Sequence, residues 1–122
     1  MVHVILPDNR SLYGDALSSM FRDRKSTFVD RLRWDVPVVD GQYEMDQFDT
    51  DEAVYLVATD PNAQRHMGSV RLLPTTAAHL LGDVFPELCE AAPPRGDDVW
   101  EITRLCTAAS LLLPASNAHA SN

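Results

Sequence analysis

The chain has 122 residues with a formal net charge of −8, 45% hydrophobic and 23% charged. That length holds one domain at most, burying about two-thirds of the surface its unfolded chain exposes. The acidic balance disfavours nucleic acid and anionic membrane as partners, and no apolar run nears the ~20 residues that cross a bilayer. The opening Val2-His3-Val4-Ile5-Leu6 is short for a signal-peptide core and follows no basic region, so the expected location is the cytoplasm. Cys89 and Cys106 lack metal-ligand spacing and are expected to be reduced and buried.

Residues 2–6 read as a strand closed by Pro7-Asp8-Asn9. From Ser11 the period turns helical, with Leu12, Ala16, Met20, Phe21, Phe28 and Leu32 recurring at three- and four-residue steps. Ser11 is a candidate N-cap and Asp15 suits the positive end of the helix dipole. The stretch is one helix, or two with a joint near Arg24. Arg22, Arg24, Lys25, Arg31 and Arg33 form a basic run, either a solvated helix face or a docking surface for an acidic partner or anionic ligand.

Pro37 and Gly41 mark a loop, and residues 43–49 an acidic connection or short strand. Residues 53–59 are a near-continuous apolar strand of the kind covered on both faces. Asp60-Pro61-Asn62 is a turn by its chemistry, and residues 68–74 return as the second strand of an antiparallel hairpin. Residues 76–81 and 84–89 read as short helical pieces, interrupted at Gly82 and Pro86, before a loop at 93–96. Residues 99–106 are the last strand. From Thr107 the chain is rich in Ala, Ser and Leu and uncharged, with the composition of a stop reached out of register. The expected organisation is an α/β domain over residues 1–106 and a disordered tail over 107–122.

Charges stand where strands should be apolar. Arg71 lies in the middle of one strand, Glu101 and Arg104 in another, and a charge buried alone is costly, so each needs a partner or a ligand. Asp46 and Asp49 stand three apart in a segment that can pass near these strands. A cluster of arginines and carboxylates follows. Strand alternation puts Glu101 and Arg104 on opposite faces unless a bulge intervenes.

The motifs Arg24, Phe28 and Trp34, then Glu44-Met-Asp-Gln-Phe-Asp49, then Gly68-Ser-Val-Arg-Leu-Leu-Pro-Thr75, then Trp100-Glu-Ile-Thr-Arg-Leu-Cys106 resemble the LuxI-type acyl-homoserine lactone synthases. The likeness runs in order, with compatible spacing, from Val2 to Cys106. It implies an N-acetyltransferase-like α/β/α sandwich with a mostly antiparallel sheet, C-terminally truncated. It implies S-adenosylmethionine as the amine substrate, with no separate cofactor, and an acyl-acyl carrier protein as the acyl donor. The amine attacks the thioester carbonyl, and the methionyl carboxylate then displaces methylthioadenosine to close the lactone.

On the same resemblance Phe28 and Trp34 shape the nucleotide pocket, although periodicity alone makes Phe28 a core residue. Arg24 pairs with carboxylates and holds the N-terminal segment over the cleft. Asp46 and Asp49 bind the cationic end of the substrate or lock Arg71 and Arg104 in place. Glu101 is the candidate general base for the ammonium nucleophile, and no residue pattern suggests a metal site or a covalent nucleophile. Family members continue well past the last strand, so its edge is expected to be unpaired and open to self-association, with activity impaired. A non-catalytic remnant that binds S-adenosylmethionine or a full-length synthase is the alternative. Another acyltransferase of the superfamily ranks below both, because its pyrophosphate-binding loop is not visible.

Overall fold

A computed structural model describes residues 1–108. A four-stranded antiparallel sheet carries the chain in the order β1 (Val2–Ile5), β4 (Val54–Thr59), β5 (His66–Pro74) and β6 (Trp100–Thr107). A two-stranded hairpin, β2 (Val38–Val39) and β3 (Tyr43–Glu44), stands apart from it. The four sheet strands follow the sequence expectation, with β5 beginning two residues earlier and β6 running to Thr107, whereas Val38–Val39, in the expected loop, forms the first strand of the hairpin. Apart from Thr107 and Ala108, the expected tail lies outside the described residues.

The helical stretch begins with a 3-10 turn, Arg10–Tyr13, and continues as α1, Gly14–Arg24. Ser11 therefore does not cap the helix: it sits inside the 3-10 turn, and no side chain caps the start of α1. Asp15 does lie in the first turn of α1, where a carboxylate meets the positive dipole end. The joint at Arg24 is a change of winding rather than a break. Lys25–Arg31 continues as a π-helix, with the amide of Leu32 donating to the carbonyl of Thr27 at 2.9 Å. Such widened turns re-aim side chains and recur at functional sites. Arg33, in the left-handed region at φ 61°, reverses the chain, and the Trp34 amide closes the exit on the Phe28 carbonyl at 2.7 Å.

The basic run is not one solvated face. Arg24 is only 1% exposed, Arg22 lies over the Tyr43 ring and donates to its hydroxyl, and Lys25 pairs with Asp30. Gly41 sits in a tight turn: Asp40 and Gly41 both have positive φ (53° and 67°) and the Gln42 amide closes on the Val39 carbonyl. Asp-Gly is the pair that adopts such mirror-image turns most readily.

Register sorts the sheet residues into two faces. Ile5, Tyr55, Arg71 and Thr103 lie in one cross-strand row, and His3, Val57, Ser69 and Cys106 in the next. This inner face packs on α1 through a core of Ile5, Leu17, Met20, Phe48, Ala53, Tyr55, Val57 and Leu73. The outer rows are apolar: Val4, Leu56 and Val70, then Val54, Leu72 and Ile102. On that face the edge strands stay open, with Ile102 70% and Leu105 74% exposed, and no described helix covers it.

Between β5 and β6 the pairing of Ser69 with Cys106 and Arg71 with Thr103 leaves one extra residue on β6. That bulge falls at Arg104, whose φ is 54°. Cys106 is buried, whereas Cys89 is only half-buried, and both thiols are free. Burial pushes the Cys106 thiol up from its ordinary pKa.

The segment after β5 departs most from expectation. Residues 75–79 form a turn, and helix is confined to α2 (Leu80–Asp83), followed by a 3-10 turn at Pro86–Leu88. Gly82 does not interrupt the helix but lies inside it, at a position where a Cβ would come within 2.6 Å of the buried His79 ring and 2.5 Å of the Arg95 guanidinium. Replacing a helical glycine by alanine ordinarily stabilises by about 0.5–1 kcal/mol. Here Gly82→Ala should instead destabilise by about 1–3 kcal/mol, the cost of overpacking a filled site, read as a lower urea midpoint with unchanged slope.

Candidate functional site

Three arginines and three carboxylates close an alternating ring between the helices and the sheet. Arg24, from the last turn of α1, donates from Nε to Glu44 at 2.9 Å and from both terminal nitrogens to Asp49 at 2.8 and 2.9 Å. Arg71, from β5, lies 3.1 Å from Asp49 and forks onto Asp46 at 2.6 and 3.2 Å. Arg104, from the bulge of β6, bonds Asp46 at 2.9 Å and Glu44 at 2.9 and 3.2 Å. Every member has two charged neighbours of opposite sign, and the ring is neutral.

Paired, fork-to-fork geometry is what makes such burial tolerable. Thr103 accepts the remaining Arg71 Nε proton, and Tyr55 donates its hydroxyl to Asp49 at 2.7 Å. Backbone amides of Asp46 and Phe48 donate to Asp49 and Asp46. Burial by itself would push the Asp49 carboxyl up, but the hydrogen bonds and charge of Arg24, then the charge of Arg71 and the Tyr55 bond, hold it well below the usual range. Burial works against the Arg24 charge too, and Asp49 and Glu44 override it, so this guanidinium stays protonated at any working pH.

The three carboxylates approach within 4.8 Å of one another, a spacing at which a cation could bind. Guanidinium groups occupy that role here. Both Asp46 and Asp49 hold arginines in the ring, and Asp46 also lines the cleft beside it.

Above the ring lies an open cleft of about 510 Å³, lined by Trp34, Asp46, Phe48, Leu80, Phe85 and Arg104 among others. A volume of this order accommodates a nucleoside-sized ligand. Phe28 and Trp34 stack at 4.6 Å between ring centres, and the Arg104 guanidinium lies over both, 5.6 and 5.3 Å from the centroids. Phe28 is buried, as periodicity suggested, while Trp34 is 43% exposed and faces the cleft. The lining is mostly apolar, with Asp35, Asp46, Gln47 and Arg104 as its polar members.

Arg104 reaches the ring only because of the bulge. Regular alternation would have turned it away from Glu101; the extra residue brings both to the inner side. The left-handed backbone at Arg104 costs about 1–2 kcal/mol, which the ring's ion pairs offset. Glu101 sits at the other end of β6, opposite Leu73. Its two carboxylate oxygens accept the backbone amides of Leu80 and Leu81, each at 2.8 Å.

A second polar cluster fastens α1 to β5. His66 contacts Asp23 through Nδ1 at 2.6 Å and Ser69 through Nε2 at 2.8 Å. The Asp23 carboxylate accepts from Nδ1–H, and Nε2 shares its hydrogen bond with the Ser69 hydroxyl. The order hydroxyl, imidazole, carboxylate is that of serine hydrolases, but His66 and Ser69 are both buried under α1, where they bind elements together.

Of the residues singled out from the sequence, Arg24, Asp46, Asp49, Arg71 and Arg104 meet in the ring, Phe28 and Trp34 stand beside it, and Glu101 lies outside it on β6, bound to amides of α2. Glu44 was not singled out, although it lies two residues from Asp46 on an extended segment and so shares its side. Tyr55 and Thr103 gave no signal, since a tyrosine or threonine in a strand is ordinary.

A profile of the autoinducer synthase family matches residues 8–121. The chain is 42% identical over 95 residues to an acyl-homoserine-lactone synthase of Ralstonia solanacearum, covering 76% of this chain and 46% of that one. It is 36% identical over 112 residues to one of Pseudomonas aeruginosa, covering 90% and 55%. Its fold is similar to the CoA-dependent acyl-homoserine lactone synthases MesI (34% identity, TM-score 0.80, 90% of this chain and 55% of that chain) and BjaI with SAM and isopentyl-CoA (33%, 0.82, 90% and 52%). The chain thus spans about half the length of the relatives it matches.

Removing one member of the ring leaves its two neighbours buried with one charged partner each, and leaves the ring with a net charge. Arg24→Ala should therefore cost about 3–5 kcal/mol in chemical denaturation, and Arg24→Lys should recover little, because an ammonium cannot serve Glu44 and Asp49 with a planar fork. The pH dependence has a definite sign. Because the Asp49 carboxyl is depressed in the folded state, its stabilisation is fully present above the unfolded-state value near about 4 and is lost as pH falls below it. Thermal melts should show no Asp49-linked change between pH 5 and 8 and a falling midpoint below about pH 4, with a shallower acid limb in Asp49→Asn.

Proposed function

Because the chain belongs to the autoinducer synthase family, we propose that it acts as an acyl-homoserine lactone synthase, using S-adenosylmethionine and an acyl thioester to make a quorum-sensing signal. The observation that carries this reading is the cleft beside the arginine–carboxylate ring. Trp34 offers a flat aromatic face, Asp46 a carboxylate and Arg104 a guanidinium within one cavity. An adenine ring, a sulfonium and an amino-acid carboxylate are matched in kind by these three groups.

In the proposed reaction the substrate amine attacks the thioester carbonyl and releases the thiol. The methionyl carboxylate oxygen then attacks the γ-carbon, closes the lactone and expels methylthioadenosine. The ring's part is to present Arg104 and Asp46 without reorganisation, since both are fixed by neighbours before any ligand arrives. Apolar Leu80, Val84 and Phe85 line the side of the cleft and keep water from the thioester.

An acyl carrier protein is the donor that the sequence motifs suggested. Similarity to two CoA-dependent synthases supports acyl-coenzyme A as a second donor of the same chemistry. A second reading, a chain that binds S-adenosylmethionine or a longer synthase without turnover, is favoured by the open outer sheet face. Val2, Val4, Ile102 and Leu105 are exposed there, and the outer edge of β6 has no partner strand among the described residues. Apolar surface of that kind promotes association with a second copy.

The deciding experiment is mass spectrometry of reactions containing the purified chain, S-adenosylmethionine and either acyl-acyl carrier protein or acyl-coenzyme A. Lactone formed with one donor supports the synthase reading and names the donor; its absence alongside retained methylthioadenosine binding supports the second reading. Trp34→Ala should weaken methylthioadenosine binding by about 10-fold, in line with losing one aromatic contact and its cation–π partner. Sedimentation should show dimers or larger species, and a stable monomer would count against the association reading.

A further inference from the structure

Glu101 occupies the position at which the family resemblance puts a general base, yet its carboxylate is already engaged. The amides of Leu80 and Leu81 each donate to a different oxygen at 2.8 Å. These are the first two residues of α2, whose start leaves several amides without an intrahelical partner. The residue before them, His79, has an extended backbone suited to an N-cap but supplies no side-chain cap. Its imidazole turns away, bonding the Ala77 carbonyl through Nδ1 at 2.9 Å. The His79 amide is satisfied by Asp83 at 2.8 Å. All three amides at this end of α2 thus terminate on carboxylates, and two of the three terminate on Glu101.

We propose that Glu101 is a positioning residue that clamps α2, and with it the Leu80, Val84 and Phe85 wall of the cleft, rather than the base that deprotonates the substrate amine. Three facts carry this. The segment is too short to hold itself: four helical residues form scarcely one turn, and isolated turns are unfavourable. The clamp crosses from β6 to α2, so it ties the cleft wall to the same strand that carries Arg104. Glu101 does not line the cleft, whereas Leu80, whose amide it holds, does. A carboxylate suits the task because each oxygen accepts one amide, and a charged acceptor makes the stronger bond.

The inference rests on the synthase reading for its consequence, but the clamp itself is a statement about this chain alone. Glu101→Gln is the informative change. A carboxamide keeps one acceptor and turns an N–H₂ group toward the other amide, so one bond is lost and two donors face each other. Amide hydrogen exchange followed by NMR on the full chain should show Leu80 and Leu81 exchanging about 10- to 100-fold faster in the variant, with the amides of Tyr55 and Val57 unchanged. Methylthioadenosine affinity by calorimetry should fall about 10-fold, from the displaced wall.

A second variant guards against mere misfolding. His79→Asn in the Glu101→Gln background gives α2 a local cap, and should return both exchange protection at Leu81 and nucleotide affinity toward the wild-type values. Unchanged exchange at Leu80 and Leu81 in Glu101→Gln would overturn the proposal. So would full nucleotide affinity combined with loss of only the acid limb of the pH–rate profile, the signature of a base. If the wild-type chain binds no methylthioadenosine, the synthase reading fails, and the exchange result still decides whether the clamp exists.

Discussion

Everything else in this structure is arranged around six charges almost entirely withdrawn from water. Arg24, Arg71 and Arg104 come from a helix and two strands, and Glu44, Asp46 and Asp49 from the hairpin and the loop after it. Removing such groups from water costs several kcal/mol per ion, and only complete pairing recovers it. The ring is therefore all-or-none: five members are worse than six. It fixes α1, the hairpin, β5 and β6 relative to one another more narrowly than apolar contact would, because a guanidinium fork tolerates little angular error where a leucine tolerates much.

Local irregularities follow from that demand. Arg104 has to face the ring, and the strand supplies the turn by adding one residue and placing Arg104 in a left-handed conformation. The helix widens to π winding just past Arg24, which carries Phe28 inward and lets the chain exit at Trp34 beside Arg104. An Asp-Gly turn folds the hairpin sharply enough to bring Glu44 back toward Arg24. Each irregularity would be a weakness in isolation. Together they deliver six charged side chains and two aromatic rings to one place.

The two faces of the sheet obey different rules. The inner face mixes an apolar core with the ring and the His66 cluster, and the charged members of both have partners. The outer face is almost purely apolar, and its edge strands remain exposed among the described residues. Inner-face order makes the cleft rigid before ligand arrives, while outer-face exposure is a driving force for covering contacts. Of the cleft's walls, the one built on α2 has the least of its own to hold it, since its amides end on side chains from elsewhere in the chain.

The sequence by itself determined the four strands of the main sheet, because apolar-rich runs of four to nine residues bounded by turn residues have few other solutions, whereas the short strand Val38–Val39 lies in a stretch that reads as a loop. It also determined that Arg71, Glu101 and Arg104 could not stand alone, since the cost of an unpaired buried charge is independent of fold. The family likeness followed from the order and spacing of those same residues. What only the tertiary structure decided was who pairs with whom. Glu44 completes the ring through a contact with Arg104 sixty positions away, and no local pattern encodes that distance. The face on which Arg104 emerges depended on a bulge whose position is set by pairing with β5, not by the composition of β6. Gly82 makes the same point: by itself it reads as a helix breaker, and the His79 ring packed against it keeps it inside α2.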